Sequence, residues 1–291
     1  MADTRTYVVG IDGSDESAAA LEWVRGTAGP DDRIEAVHAW DVPVMVGYDV
    51  AVAIDPRSIE EAARAFLDDV VARSGDDRVH ARLVRSHPGR AIVETGADAA
   101  AVVIGHRGSG RMSMLLGSTA SHALHHLSTP VVIIRGDEPG PARAVVVGAD
   151  DHDLVADDGE TVSGENESVR ALRWAWSLPG VSEVRVVHSW FLPAVVAGWY
   201  AGPGADYEVM DAASERIIDH VITAAGSPPP GVTVDREVLR GSPGFGLIEA
   251  SRDVDLVVVG SRGRGTLRGL LLGSTSAEVA SYAHCPVAVV R

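Results

Sequence analysis

The sequence predicts an α/β protein made of two tandem five-stranded parallel-sheet domains, each with helices on both faces. Three observations carry this: an internal repeat, an alternation of Val/Ile-rich runs with helical patterns, and an apolar complement poor in aromatics. Hydrophobic residues are 46% of the 291 positions and aromatics only 5%, so Val, Ile, Leu and Ala must build the core. That composition suits strands buried on both faces.

The repeat is plainest in two glycine-rich segments. Val102-Val103-Ile104-Gly105-His106-Arg107-Gly108, followed by Leu115-Leu116-Gly117-Ser118-Thr119, is restated as Val257-Val258-Val259-Gly260-Ser261-Arg262-Gly263, followed by Leu271-Leu272-Gly273-Ser274-Thr275. The offset is 155 residues between Gly105 and Gly260, and 156 between Gly117 and Gly273. Pro130 and Pro286 open the next apolar run, again 156 apart. Upstream, His87-Pro88-Gly89 answers Ser242-Pro243-Gly244, and Val37-His38-Ala39-Trp40 answers Val187-His188-Ser189-Trp190. Val8-Val9-Gly10-Ile11-Asp12 answers Val146-Val147-Gly148-Ala149-Asp150 at an offset of only 138, so the second copy carries extra residues after its first strand. These form an acidic insertion at about 151–164. A duplication accounts for all of this. The turn formers from Gly136 to Pro141 mark the linker, with the copies at 1–136 and 142–291.

In copy one, strands are expected at Thr6–Ile11, Arg33–Ala39, Val79–Arg85, Ala101–Gly105 and Val131–Arg135. Helices are expected at Ser14–Arg25, Pro56–Ser74, Ala91–Ala97 and Ser118–Leu127. Copy two repeats the strands near 143–149, 183–189, 232–238, 255–260 and 286–291. Strand–helix alternation implies right-handed crossovers and a parallel sheet. Trp23, Trp174 and Trp176 fall in first-helix segments and should fill core. Pro130 and Pro286 stand at strand starts, where proline removes no ladder bond.

Ligands of such sheets sit at the carboxyl ends of strands, where strand order reverses. For a flavodoxin-like or 3-2-1-4-5 order, that point lies between strands 1 and 4. Asp12 and the Gly105–Ser118 loop meet there in copy one, and Asp150 with Gly260–Ser274 in copy two. Glycines let backbone approach a ligand closely, and a helix N-terminus favours an anion. Ser118 and Ser274 could donate a hydroxyl to phosphate. The competing account is that these serines cap their helices, and Thr275 to Glu278 has capping-box spacing. Capping alone does not call for the paired glycines upstream. Asp12 and Asp150 are placed to meet a ligand through sugar, base or a bridging cation, or else to act as turn residues.

Several chemistries are excluded. The net charge of −16, with scattered cations, opposes nucleic-acid and membrane-surface binding. No apolar run approaches the ~18 residues of a membrane span. All 25 cationic residues are arginine, which removes a Walker A loop, a kinase strand lysine and Schiff-base chemistry. Cys285 is the single cysteine, expected as a small buried side chain, and its solitude fits a reducing cytoplasm. The EF-hand and Gly-x-Gly-x-x-Gly registers fail, and no Gly-x-Ser-x-Gly elbow occurs. His38, His188, His125 and His126 are read as packing residues rather than metal ligands.

The pattern Gly-x2-Gly-x9-Gly-Ser after a Val-rich strand, with an Asp after strand 1, resembles the ATP-binding subgroup of the universal stress protein family in its tandem-domain form. The resemblance spans nearly the whole chain. Copy two matches in full; between Gly108 and Gly117, copy one is one residue short. The resemblance implies a Rossmann-like, adenine nucleotide alpha hydrolase-like fold binding ATP, with or without Mg. Gly105, Gly108, Gly117, Ser118 and Thr119 would cradle ribose and phosphates, as would Gly260, Gly263, Gly273, Ser274 and Thr275. Gly10, Asp12 and Asp150 would lie near base and ribose, backbone at Ala39 and Ser189 at the adenine edge, and Ile104 and Val259 against the ring. It further implies a cytoplasmic, nucleotide-dependent regulator whose copies form a pseudo-dimer, with pairing of whole chains left open. Two alternatives stay open: a slow ATPase or nucleotidyl-transfer enzyme using Arg107, Arg262 or Arg264, and a scaffold with vestigial sites.

Overall fold

A computed structural model describes residues 4–42, 55–107, 116–136, 139–150, 166–191, 207–261 and 272–291. The chain divides into two compact units, Met1–Ile134 and Arg135–Arg291. Unit 1 runs β1 (Thr6–Gly10), α1 (Asp15–Thr27), β2 (Arg33–Trp40), α2 (Pro56–Ser74), β3 (Val79–Arg85), α3 (Pro88–Gly96), β4 (Ala101–Gly105), α4 (Ser118–His126) and β5 (Val131–Ile134). Unit 2 repeats the series as β6 (Ala144–Gly148), α5 (Glu167–Ser177), β7 (Glu183–Trp190), α6 (Tyr207–Ala225), β8 (Thr233–Arg240), α7 (Pro243–Ala250), β9 (Leu256–Gly260), α8 (Ser274–Tyr282) and β10 (Val287–Val290).

Strand order is β3-β2-β1-β4-β5 in unit 1 and β8-β7-β6-β9-β10 in unit 2, with parallel pairing in every register resolved. This is the 3-2-1-4-5 order, one of the two that the sequence left open. Composition explains each strand's place. The inner strands β4 (AVVIG) and β9 (LVVVG) are continuous apolar runs because helices cover both faces. The outermost β3 (VHARLVR) and β8 (TVDREVLR) mix charge with apolar positions, as edge strands do.

Each edge strand is tied to its neighbour by one diagonal ion pair. Arg82 on β3 reaches Glu35 on β2 at 2.7 Å, and Arg185 on β7 reaches Glu237 on β8 at 2.9 Å. By register these are equivalent positions with the charges exchanged.

Trp23 is buried on α1 and Trp176 on α5, as expected, while Trp174 is only half-buried. Cys285 is also buried, and burial pushes its thiol up to about 12, which fits a packing residue. The helix at Pro88–Gly96 starts three residues before the predicted Ala91. Proline suits a first helical turn, where its missing N–H is not needed. Gly89 is needed there because a Cβ would lie 3.0 Å from the His122 ring.

The amino ends of the unit 1 strands are pinned by one guanidinium. Arg78 donates to the carbonyls of Ala28, Gly29 and Arg25 at 2.9 Å each and to Asp76 at 2.7 Å. Arg25 adds a second contact to Asp76 at 3.3 Å. The hydrogen bond from Arg78 is the main cause holding the Asp76 carboxyl far below the usual carboxylate range. Such a group stabilises the fold above the unfolded value of about 3.9 and loses its contribution as pH falls through the folded one. Asp76→Asn should therefore lower stability by about 1–3 kcal/mol at pH 7. In urea unfolding, the gap between wild type and variant should narrow as pH drops below about 4.

Candidate functional site

The strand order makes β1 and β6 the points where direction reverses, so a crevice opens beyond their carboxyl ends. In unit 2 this crevice is a cavity of about 460 Å³. Seven residues singled out from the sequence line it together: Asp150, Ser189, Val259, Gly260, Gly273, Ser274 and Thr275.

The peptide after each central strand is fixed to the following helix. Asp150 N–H donates to the Ser168 hydroxyl at 2.9 Å, and Asp12 N–H to Ser17 at 3.4 Å. Gly148 ends β6 where a Cβ would come 3.3 Å from Leu247 and 3.4 Å from Val259; Gly10 is packed the same way, 3.3 Å from Ile92 and 3.7 Å from Ile104. Asp12 itself acts within its turn. Its Oδ1 accepts from Ser14 N–H at 3.0 Å and from the Ser14 hydroxyl at 2.5 Å, while Ser14 caps α1 by accepting from Ser17 N–H.

Each glycine-rich loop leaves the sheet and returns through one backbone bond. Gly117 N–H donates to the His106 carbonyl at 2.9 Å, and Gly273 N–H to the Ser261 carbonyl at 2.6 Å. Both loops therefore close at the same base, and the one-residue difference in sequence falls between those anchors. Gly108 and Gly263 lie outside the described residues, as does the acidic insertion.

The capping account of the serines is not what the structure has. Gly117 and Gly273 are the N-caps, Ser118 and Ser274 are the first helical residues, and no side-chain cap bond is made at either start among the described residues. Thr275 and Glu278 do not form a capping box. Glu278 turns instead to the start of α7, where its Oε2 occupies the space a Cβ on Gly244 would take. Thr275 and Thr119 follow in the first turns of α8 and α4, both half-buried. Ser276 anchors α8 by donating to the Gly260 carbonyl at 2.6 Å.

Beside the loop base, Ser261 is buried and donates to Glu167 of α5, with Oε distances of 3.0 and 3.1 Å. Its counterpart His106 accepts at Nε2 from Arg107 at 2.7 Å, which makes Nδ1 the protonated nitrogen facing the Ile134 carbonyl at 3.1 Å. Ile104 is buried in β4, and Ala39 is the penultimate residue of β2, beside Val84. His38 is a packed residue as expected, its Nδ1 2.8 Å from the Ile11 carbonyl. Among the described residues no His/Cys/Asp/Glu group could hold a metal, and His125 and His126 bond to the carbonyls of Ser121 and His122.

The sequence reading missed the far wall of the cavity. Met210, Ala213, Ser214 and Ile217 of α6 line it, joined by Leu247 of α7. Their spacing of i, i+3, i+4 and i+7 is one helix face, a signal available in the sequence.

Gly105 is packed more tightly than Gly10. A Cβ there would lie 2.7 Å from Glu16 Cβ and 3.1 Å from both the Glu16 and Arg107 backbones. Gly105→Ala should force the first turn of α1 away from β4 and lower stability by about 1–3 kcal/mol in thermal or urea unfolding.

The chain matches the universal stress protein family over residues 4–135 and again over 154–291. A universal stress protein of Mycobacterium tuberculosis is 31% identical over 297 residues, spanning 98% of this chain and 95% of that one. A Mycolicibacterium smegmatis universal stress protein is 31% identical over 296 residues, 98% and 96% of the two chains. Among solved structures, a universal stress protein from Archaeoglobus fulgidus shares the fold at a TM-score of 0.68 and 20% identity, covering 99% of each chain. With two matched domains and full-length relatives, the chain belongs to the universal stress protein family.

Proposed function

We propose that this protein is an ATP-binding universal stress protein that acts through nucleotide occupancy in the cytoplasm. One observation carries the reading: the unit 2 cavity, at a strand-order reversal, is lined both by aliphatic side chains and by the start of a helix that favours an anion. Val259, Met210, Ile217 and Leu247 supply aliphatic walls suited to a planar base. Gly273, Ser274 and Thr275 present the start of α8, where backbone N–H groups and the helix dipole favour phosphate. Asp150 is the carboxylate among the described lining residues, placed to meet ribose or a bridging Mg. A nucleotide complexed with Mg would also be the form best tolerated by a chain of net charge −16. On the same reading, the duplication makes one polypeptide the counterpart of a dimer of single-domain relatives.

The direct test is mass spectrometry of small molecules released from denatured protein, paired with thermal unfolding. Adenine nucleotide should be recovered, and ATP at about a hundredfold excess over Kd should raise Tm by several degrees. Ser274→Ala should weaken ATP about tenfold, the loss of one charge-assisted hydrogen bond. No nucleotide and no thermal shift would overturn the reading; turnover abolished by Arg262→Ala would recast the protein as a slow ATPase.

A further inference from the structure

The helix wall of the unit 2 site differs in side chains from its counterpart in unit 1, most in size where an aromatic ring replaces an aliphatic chain. α2 and α6 are each 19 residues long and align at an offset of 151. That alignment pairs Ala63 with Ser214 and Leu67 with Ile218, which are buried residues of the two helices. It also pairs Phe66 with Ile217, a wall of the unit 2 cavity. His188, another lining residue, is equivalent to His38 by strand register.

In unit 1 the Phe66 ring meets His38 edge-on, with centroids 5.0 Å apart and planes at 63°. Its Cζ lies 3.4 Å from the position a Cβ would take on Gly13. The ring thus reaches from the end of β2 to the turn after β1, across the space that in unit 2 opens between the equivalent strand ends. Both supports are firm. His38 is held by the Ile11 carbonyl, and Gly13 takes φ +84° in a turn closed by Asp12 and Ser14. That turn passes from Gly10 to Asp15 directly, whereas copy two takes the longer path from Gly148 to Glu167.

We propose that Phe66 closes the base-binding end of copy one, so that each chain holds one adenine nucleotide, in copy two. This rests on the nucleotide reading given above. A phenyl ring wedged between His38 and the Gly13 turn takes the place that Ile217 leaves to the ligand. Unit 1 then keeps the fold and the loop base without serving as a receptor.

The test is nucleotide stoichiometry per chain, by native mass spectrometry and isothermal titration with ATP on the full-length protein. Wild type should hold one equivalent. Phe66→Ile should bind a second, and Ile217→Phe should weaken the single site at least tenfold while far-UV circular dichroism stays unchanged. Phe66→Ala gives a second opening variant should the isoleucine pack poorly. Two equivalents in wild type, or one in both Phe66 variants, would overturn this inference alone. A wild-type chain that binds no adenine nucleotide would overturn the reading of the site and this inference with it.

Discussion

The pairing of β1 with β2 on one side and β4 on the other, repeated by β6 with β7 and β9, is the constraint on which the site depends. Right-handed crossovers leave a central strand in opposite directions, so the helices that follow go to opposite faces. A crevice is thereby left between them at the carboxyl end of that strand. Gly10 and Gly148 terminate the central strands where Ile92 or Leu247 packs against them, which leaves the next peptide to be held by a serine of the following helix. The crevice follows from topology, and its lining from which residues happen to end the strands.

The two ends of unit 1 serve different purposes. At the amino ends, Arg78 gathers three carbonyls and Asp76 into one charge-assisted cluster that locks α1 to β3. At the carboxyl ends, among the described residues, lie the turn closed by Asp12 and Ser14, the His38–Ile11 contact and an α4 start with no side-chain cap bond. Unit 2 has no arginine at the position of Arg78. Thr233 donates there to the Ser182 carbonyl at 3.2 Å, and Arg173 reaches the carbonyls of Ala224 and Ala225 instead.

Much of this was legible in the sequence because the signals are local. Val-rich runs bounded by Gly and Pro marked the strands to within a residue or two, and the repeat confirmed each one twice. The sequence pattern places the start of α3 three residues late, at Ala91, although proline at 88 is at home in a first helical turn. Ser118 and Ser274 looked like caps because cap and first-turn preferences overlap; only backbone geometry separates Gly117 and Gly273 from them. The α6 wall escaped because its alignment with α2 follows an offset of 151, which lies between the 150 of the strand before it and the 155 of the Pro-Gly motif after it, so neither motif fixed the helix register. Equivalence between Phe66 and Ile217 could not be seen until helix burial supplied the register.

The exchanged ion pair at the sheet edges has a consequence for a chain that contains the same domain twice. Duplicated neighbours risk trading strands during folding, since each edge finds two similar partners. Were β3 to pair with β7, Arg82 would face Arg185; were β8 to pair with β2, Glu237 would face Glu35. Each native pair keeps partial contact with solvent and is worth little by itself. Read as labels, the four charges let a strand recognise its own sheet and be turned away by the other.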